Sequence, residues 1–258
     1  MVKPSRGDKP GEMVAEYTED RLLGGRLQLR QAAAGYRAGL DAALLAASCN
    51  AQADERVLDA GCGVGAVMLQ AAFRAPDATF LGVERDPAAV DLARGNVELN
   101  GLQDRVRVEA GEVSGRPGAY AGAFDKALAN PPFFDDPTTL RGPAPAKRGA
   151  WLAEEGLQAW TEFLTKSVRE GGSVILIHRA DRLADLLALL SGRAGSFQAR
   201  PVHPFADAPA SRILIRAVRG GRAPLKLLPA LVLHPRNGAK HTSEAEAILR
   251  GEAALEWL

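Results

Sequence analysis

The chain is poor in several things. Only Cys49 and Cys62 occur among its 258 residues. Two thiols cannot build a disulfide framework, so a reducing compartment is the default reading. Charge of one sign is missing too: 32 basic against 31 acidic residues leave a net charge of +1. That excludes a global electrostatic footprint for nucleic acid, and any such partner must be held by a local patch. The longest apolar run near the start, AALLAASC, is far too short to cross a bilayer, and the polar opening MVKPSRGDKPGEM lacks the apolar segment of a signal peptide. A cytoplasmic protein without membrane contact is expected. What is present is ordinary core material, 47% hydrophobic with 24% charged residues, enough for one large domain.

The first 16 residues, rich in Lys, Pro and Gly, read as a frayed tail. GGRLQLRQ alternates like a short strand pair, and AGLDAALLAAS has helical apolar spacing with Asp41 near its start. From Arg56 the pattern becomes strand then helix, repeated. RVLDAG, TFLGVE, RVRVEA, FDKALA and SVILIH read as strands. Helices are expected over Val64 to Arg74, Pro87 to Leu99, Trp151 to Arg169 and Leu183 to Leu190. FQARPV and RILIRAV read as a terminal strand pair. SEAEAILRG reads as a last helix with Ser243 as N-cap, Glu246 completing a capping box and Gly251 as stop. Such alternation implies a doubly wound, mostly parallel sheet.

Two motifs carry chemistry. In VLDAGCGVG a strand runs into a glycine turn and then a helix. Gly61, Gly63 and Gly65 let the backbone turn sharply and approach a ligand, with a helix N-terminus behind them. The G-x-G-x-G spacing differs from the G-x-G-x-x-G of nicotinamide enzymes. Asp59, inside the strand, suits a cationic ligand group. Glu84, ending the next strand, could accept from ribose hydroxyls, while Asp86 suits capping the helix that begins at Pro87. Cys62 sits in the turn without a basic partner, which disfavours a nucleophilic role. The second motif, Asn130-Pro131-Pro132-Phe133, follows the strand FDKALA. Ligands of open α/β sheets bind beyond the C-terminal strand ends, so this tetrapeptide belongs beside the glycine turn.

The first motif with its acids, over Arg56 to His178, resembles the class I S-adenosylmethionine-dependent methyltransferases. That resemblance implies S-adenosylmethionine as cofactor, a seven-stranded α/β sheet, Glu84 on the ribose and Glu112 near the adenine amino group. The tetrapeptide matches the (D/N/S)-P-P-(Y/F/W) signature of enzymes in this class that methylate planar amino nitrogens. The Asn130 side-chain carbonyl and the Pro131 backbone carbonyl would each accept one N–H of the amine, and Phe133 would offer a stacking face. The segment Thr18 to Ala47 resembles the tRNA adenine-N6 methyltransferases that act beside the anticodon of a valine tRNA. It implies that Gln31, Gly35, Tyr36, Arg37, Asp41 and Leu44 to Ala46 close over the methionine end of the cofactor, with Asp41 receiving its ammonium group. Asp41 could equally cap the helix that follows.

The expected organisation is a tail over 1–16, a cofactor lid over 17–52 and a catalytic domain over 53–258, needing no metal. RNA would be held by local basic clusters: Arg141, Lys147 and Arg148 near the mouth, and Arg200, Arg212, Arg216, Arg219, Arg222 and Lys226 toward the end. Where this family often carries Arg-His after the tetrapeptide, this chain has AKRGAW, so the contacts of the loop 134–150 stay open. Other acceptors also stay open: guanine N2 of ribosomal RNA, a protein glutamine amide, or a small molecule.

Overall fold

The computed structural model describes residues 17–33, 39–113, 116–132 and 156–258. A hairpin of β1 (Tyr17–Leu22) and β2 (Leu27–Ala32) comes first, followed by α1 (Leu40–Ala47). The strand pair read from GGRLQLRQ is therefore displaced: its first arm lies upstream, and Gly24 and Gly25 form the turn between the arms, both at positive φ. Then come β3 (Arg56–Ala60), α2 (Ala66–Arg74), β4 (Thr79–Glu84), α3 (Pro87–Leu99), β5 (Val106–Ala110) and β6 (Phe124–Ala129). The second half holds α4 (Leu157–Ser167), β7 (Val168–Arg179), α5 (Leu183–Ser191), β8 (Ala194–His203) and β9 (Arg212–Arg219). Two-residue strands β10 (Lys226–Leu227) and β11 (Leu231–Val232) and the helix α6 (Ser243–Leu249) end it.

The main sheet runs β10-β8-β9-β7-β6-β3-β4-β5, with β11 also pairing β8. Every pairing is parallel except those of β9, which is antiparallel to both β7 and β8. The seven long strands are the expected ones, and β10 and β11 extend the sheet to nine. Strand order reverses at β3, whose neighbours are β4 and β6. The crevice at such a switch is where these sheets bind ligands.

Both faces are covered, and the period of two in the strands decides what each face buries. Val57, Leu128, Ile175 and Ile177 turn toward α1, α2 and α6. Leu58, Ala127, Ala129, Val174 and Leu176 turn toward α4 and α5. Each fully buried branched side chain contributes roughly 1.5–3 kcal/mol of transfer free energy, so the alternation holds the register against a one-residue slip.

Several helix boundaries differ from expectation. α2 starts at Ala66 rather than Val64, and α5 ends at Ser191 rather than Leu190. α4 ends at Ser167 because Val168 and Arg169 already belong to β7, while its expected start at Trp151 lies outside the described residues. Two caps differ as well. The N-cap of α6 is Thr242, not Ser243. Its hydroxyl accepts the Ala245 N–H at 3.2 Å and donates to the Val232 carbonyl at 2.7 Å, and Glu246 pairs with Arg250 rather than closing a capping box. Asp41 does not cap α1 either; Gly39 holds that position. Asp86 caps α3 as read, accepting from the Ala88 N–H at 3.0 Å, with Pro87 in the first turn.

Candidate active site

At the C-terminal end of β3 the chain turns through Gly61, Gly63 and Gly65, with φ of 65°, 55° and 89°. Residues with side chains rarely adopt this region, which explains the glycines. The Gly61 and Cys62 N–H groups donate to the Val83 carbonyl at 2.8 and 3.1 Å, pinning the turn to β4. A Cβ at Gly61 would lie 2.3 Å from Cη2 of Trp160, whereas a Cβ at Gly63 would meet none of the described residues within 4 Å. The turn therefore leans on the indole on one side and is uncrowded by described residues at Gly63. Trp160, on α4, is 6% exposed, and its indole N–H is buried without an acceptor.

Two acids serve this turn in different ways. Asp59 is 2% exposed and accepts the Met68 N–H at 3.1 Å, reaching beneath the turn to the first turn of α2. Burial pushes its carboxyl up to about 8, the Met68 bond opposes that, and nearby Glu84 adds to it. Asp59 is thus tied to a helix end inside the protein, where it supports the turn from below; the expected partner, a ligand cation, is replaced by a backbone amide. Glu84 lies at the mouth, half-buried. One of its oxygens accepts the Gly63 N–H at 2.9 Å and the other accepts those of Arg85 and Asp86, each at 2.9 Å. Three backbone donors hold this carboxylate in a fixed orientation at the open side of the turn.

The parallel register brings the second motif to the same place. β3 and β6 pair Ala60 with Ala129, so Asn130 comes level with Gly61 on the adjacent strand, about 5 Å away at normal strand spacing. Asn130 is half-buried and Pro131 buried. On the other side, Ala129 pairs with Leu176 of β7, which sets His178 level with Pro131. His178 is buried and pushed down to about 4 by burial and by Arg182, Arg179 and Arg212, so it is neutral at physiological pH. Its signal in the sequence is a lone histidine ending the apolar run SVILIH; its place beside β6 comes only from the strand pairing.

The remaining expectations divide. Gln31 is 2% exposed and donates to Asp20 at 2.8 Å, as part of the hairpin. Asp41 forms an ion pair with Arg212 at 2.9 Å, so a side chain of β9 occupies the carboxylate assigned to an ammonium group. Glu112 is an exposed loop residue beyond β5. Cys62 is buried, and burial raises its thiol well above the ordinary range, which agrees with no nucleophilic role. Tyr36 and Phe133, with Gly35 and Arg37, lie outside the described residues, as do Arg141, Lys147 and Arg148.

The basic cluster assigned to the C-terminal region is not a free patch. Arg200 donates to the Pro229 and Glu256 carbonyls at 3.0 and 2.7 Å, and Lys226 to that of Leu258 at 3.1 Å. Arg216 bonds Ser173 at 3.2 Å, and Arg219 bonds Glu170 at 2.8 Å and the Val168 carbonyl at 2.7 Å. With Arg212 taken by Asp41, most of these cations hold strands and tail together. Arg222 is exposed. Among the described residues no group of His, Cys, Asp and Glu could hold a metal ion, and no helix is long and apolar enough to cross a membrane.

A parallel sheet with its order reversed at β3, one antiparallel strand β9, a glycine turn and a carboxylate ending the neighbouring strand make up the fold of class I S-adenosylmethionine-dependent methyltransferases. Residues 37–141 match the model of the methyltransferase small domain family. A predicted O-methyltransferase of Agrobacterium tumefaciens superposes with a TM-score of 0.70 at 25% identity, covering 83% of this chain and 98% of that one. Within that class the chain is similar to proteins named tRNA1(Val) (adenine(37)-N6)-methyltransferase. Those of Yersinia pestis and Yersinia pseudotuberculosis are 31% identical to it over 166 residues, which span 62% of this chain and 64% of theirs.

Proposed function

We propose that this protein is an S-adenosylmethionine-dependent N-methyltransferase that acts on the exocyclic N6 of an adenine in RNA, in a tRNA next to the anticodon. The observation that carries the reading is the register that sets Asn130-Pro131 level with Gly61. One arrangement thereby brings the proposed amine-binding carbonyls beside the proposed nucleotide-binding turn. The names of the Yersinia relatives support the acceptor.

The residues present fit the cofactor. Glu84, steered by three N–H groups, keeps a lone pair on the oxygen that takes the Gly63 N–H, where a ribose hydroxyl can bind, and no described residue crowds Gly63. Bound there, S-adenosylmethionine supplies an electrophilic methyl group on a sulfonium. The chain supplies position. An adenine amino group is a poor nucleophile because its lone pair is delocalised into the ring. The Asn130 side-chain carbonyl and the Pro131 carbonyl each accept one of its N–H bonds, orienting the nitrogen and stabilising the positive charge that grows on it. Proline holds its carbonyl in place through its fixed φ. The surplus proton then leaves to water. Gln31, Tyr36, Asp41, Glu84 and Glu112 remain the proposed cofactor contacts, Asp41 only if Arg212 releases it. Asp59 acts from below the turn, and Phe133 is the proposed stacking face.

Incubating the protein with RNA and isotopically labelled cofactor, then analysing nucleosides by mass spectrometry, tests the proposal. Label in N6-methyladenosine is expected. Label in N2-methylguanosine, in a protein glutamine or only in a small-molecule oxygen would replace the acceptor.

A further inference from the structure

We propose that Asn96 is a positioning residue of the cofactor pocket, fastening the N-terminal hairpin and the glycine turn to each other through one side-chain amide. The inference rests on the methyltransferase reading above.

Strand β2 pairs with β1 along one edge only. Its other edge meets α3, which has no strand to offer, and two asparagines take the place of one. Asn100 accepts the Gln28 N–H at 2.9 Å and donates to the Gln28 carbonyl at 2.7 Å. Asn96 does the same for Arg30, at 2.8 and 2.9 Å. The spacings match: residues four apart on a helix stand about 6 Å apart, and residues two apart on a strand about 6.6 Å. Asparagine is a weak helix former, so two of them on one face of α3 ask for a tertiary reason. The strand edge supplies it.

The two amides differ in one bond. The second hydrogen of Asn100 returns to its own helix, at the Asn96 carbonyl, 2.7 Å away. The second hydrogen of Asn96 crosses to the Val64 carbonyl at 3.0 Å, inside the glycine turn. Asn96 is 0% exposed, and its partners Arg30 and Val64 are half-buried, so the amide itself is withdrawn from water. Val64 is flanked by Gly63, whose N–H holds Glu84, and by Gly65, the N-cap of α2. Arg30 is followed by Gln31, a proposed cofactor contact that bonds Asp20 across the hairpin. Asn96 therefore sets both walls of the pocket from one point. No other residue type reproduces it: aspartate cannot donate twice, glutamine is a methylene longer, and alanine takes the partner from the Arg30 N–H, the Arg30 carbonyl and the Val64 carbonyl at a part-buried site.

Asn100→Ala removes the same kind of strand cap without touching the turn, which makes it the control. The unsubstituted chain, Asn96→Ala and Asn100→Ala are each melted, titrated calorimetrically with S-adenosylhomocysteine and assayed on RNA. Both variants are expected to melt lower. Only Asn96→Ala should bind the ligand about tenfold more weakly or worse. Its KM for S-adenosylmethionine should rise in step, with kcat at saturating cofactor nearly kept. Unchanged affinity in Asn96→Ala, or an equal loss in both variants, overturns the proposal. An unsubstituted protein that binds no S-adenosylhomocysteine removes the methyltransferase reading and this inference with it. If Asn96→Ala does not fold, hydrogen exchange on the unsubstituted protein decides. The ligand should slow the Arg30 amide about tenfold and leave that of Gln28 unchanged, because one opening releases the Arg30 bond and the turn together. An Arg30 amide that the ligand leaves unprotected overturns the proposal.

Discussion

The glycine-turn region and the C-terminal edge of the sheet both carry many polar groups, and they use them in opposite ways. Around Gly61 to Gly65 the acids Asp59 and Glu84 take backbone N–H groups and, among the described residues, no arginine or lysine. Glu84 is held in one orientation by these three bonds and is half-buried. Along β9 and in the loops around it the charges find partners within the chain: Arg212 with Asp41, Arg219 with Glu170, and Arg236 beyond β11 with Asp207 between β8 and β9. A site is marked by polar groups held still with capacity to spare, whereas a count of charges marks only the places where strands and tails are tied together.

The sharpest test of that contrast is Asn130→Ala. It should lower kcat by roughly 10²–10³ while S-adenosylhomocysteine binding stays within about twofold. Loss of binding with turnover spared would assign Asn130 to the cofactor instead. Next comes Gly61→Ala, whose Cβ would meet Trp160 at 2.3 Å on a backbone at φ 65°. Overpacking and left-handed strain together should cost about 2–5 kcal/mol, read by chemical denaturation. A loss under 1 kcal/mol would mean that the indole moves aside freely.

Asp59→Asn probes the buried acid through pH. Unfolded, Asp59 ionises near 3.8; folded, it keeps its proton to about 8. A carboxyl raised in this way contributes stability that is complete below pH 3.8 and is lost as the pH rises through 8. The variant keeps an acceptor for Met68 and removes this dependence. Measured by denaturation at pH 5 and pH 8.5, its stability relative to the parent should improve at the higher pH by at least about 1 kcal/mol. No change between the two would mean that Asp59 is ionised in the fold. The smallest effects lie at the other region. Arg219→Ala should reduce stability by about 1–2 kcal/mol and leave the salt dependence of RNA binding unaltered. Arg222→Ala, exposed, should instead lower the slope of log K against log salt by about one. The reverse outcome would restore the basic patch at Arg219.

Much was legible beforehand because it is local. Pro87 to Leu99 was read to the residue, since a capping Asp86 and a proline at the first turn mark one end and the apolar spacing the rest. Thr242 was missed as a cap because Ser243 fits the same local rule, and only the contact with β11 selects between them. The arginines of β9 read as a basic cluster because sequence shows charge without its partner. Asp41 and Glu170 come from α1 and from the start of β7. Asn96, Trp160 and His178 carried no motif. Each acquires its place by meeting an element 30 to 100 residues away in the chain: Asn96 the hairpin and the turn, Trp160 Gly61, His178 the level of Pro131.

By itself the sequence determined the alternation of strand and helix, the glycine turn, the acid that follows it and the Asn-Pro-Pro-Phe ending of the strand FDKALA, all of them set by neighbours within a few residues. Only the tertiary structure decided that Asn130 stands level with Gly61, that Asp59 lies under the turn while Glu84 faces out of it, and that most of the C-terminal cations are taken. Register, burial and pairing depend on residues far apart in the chain, and the packed sheet alone brings those residues together.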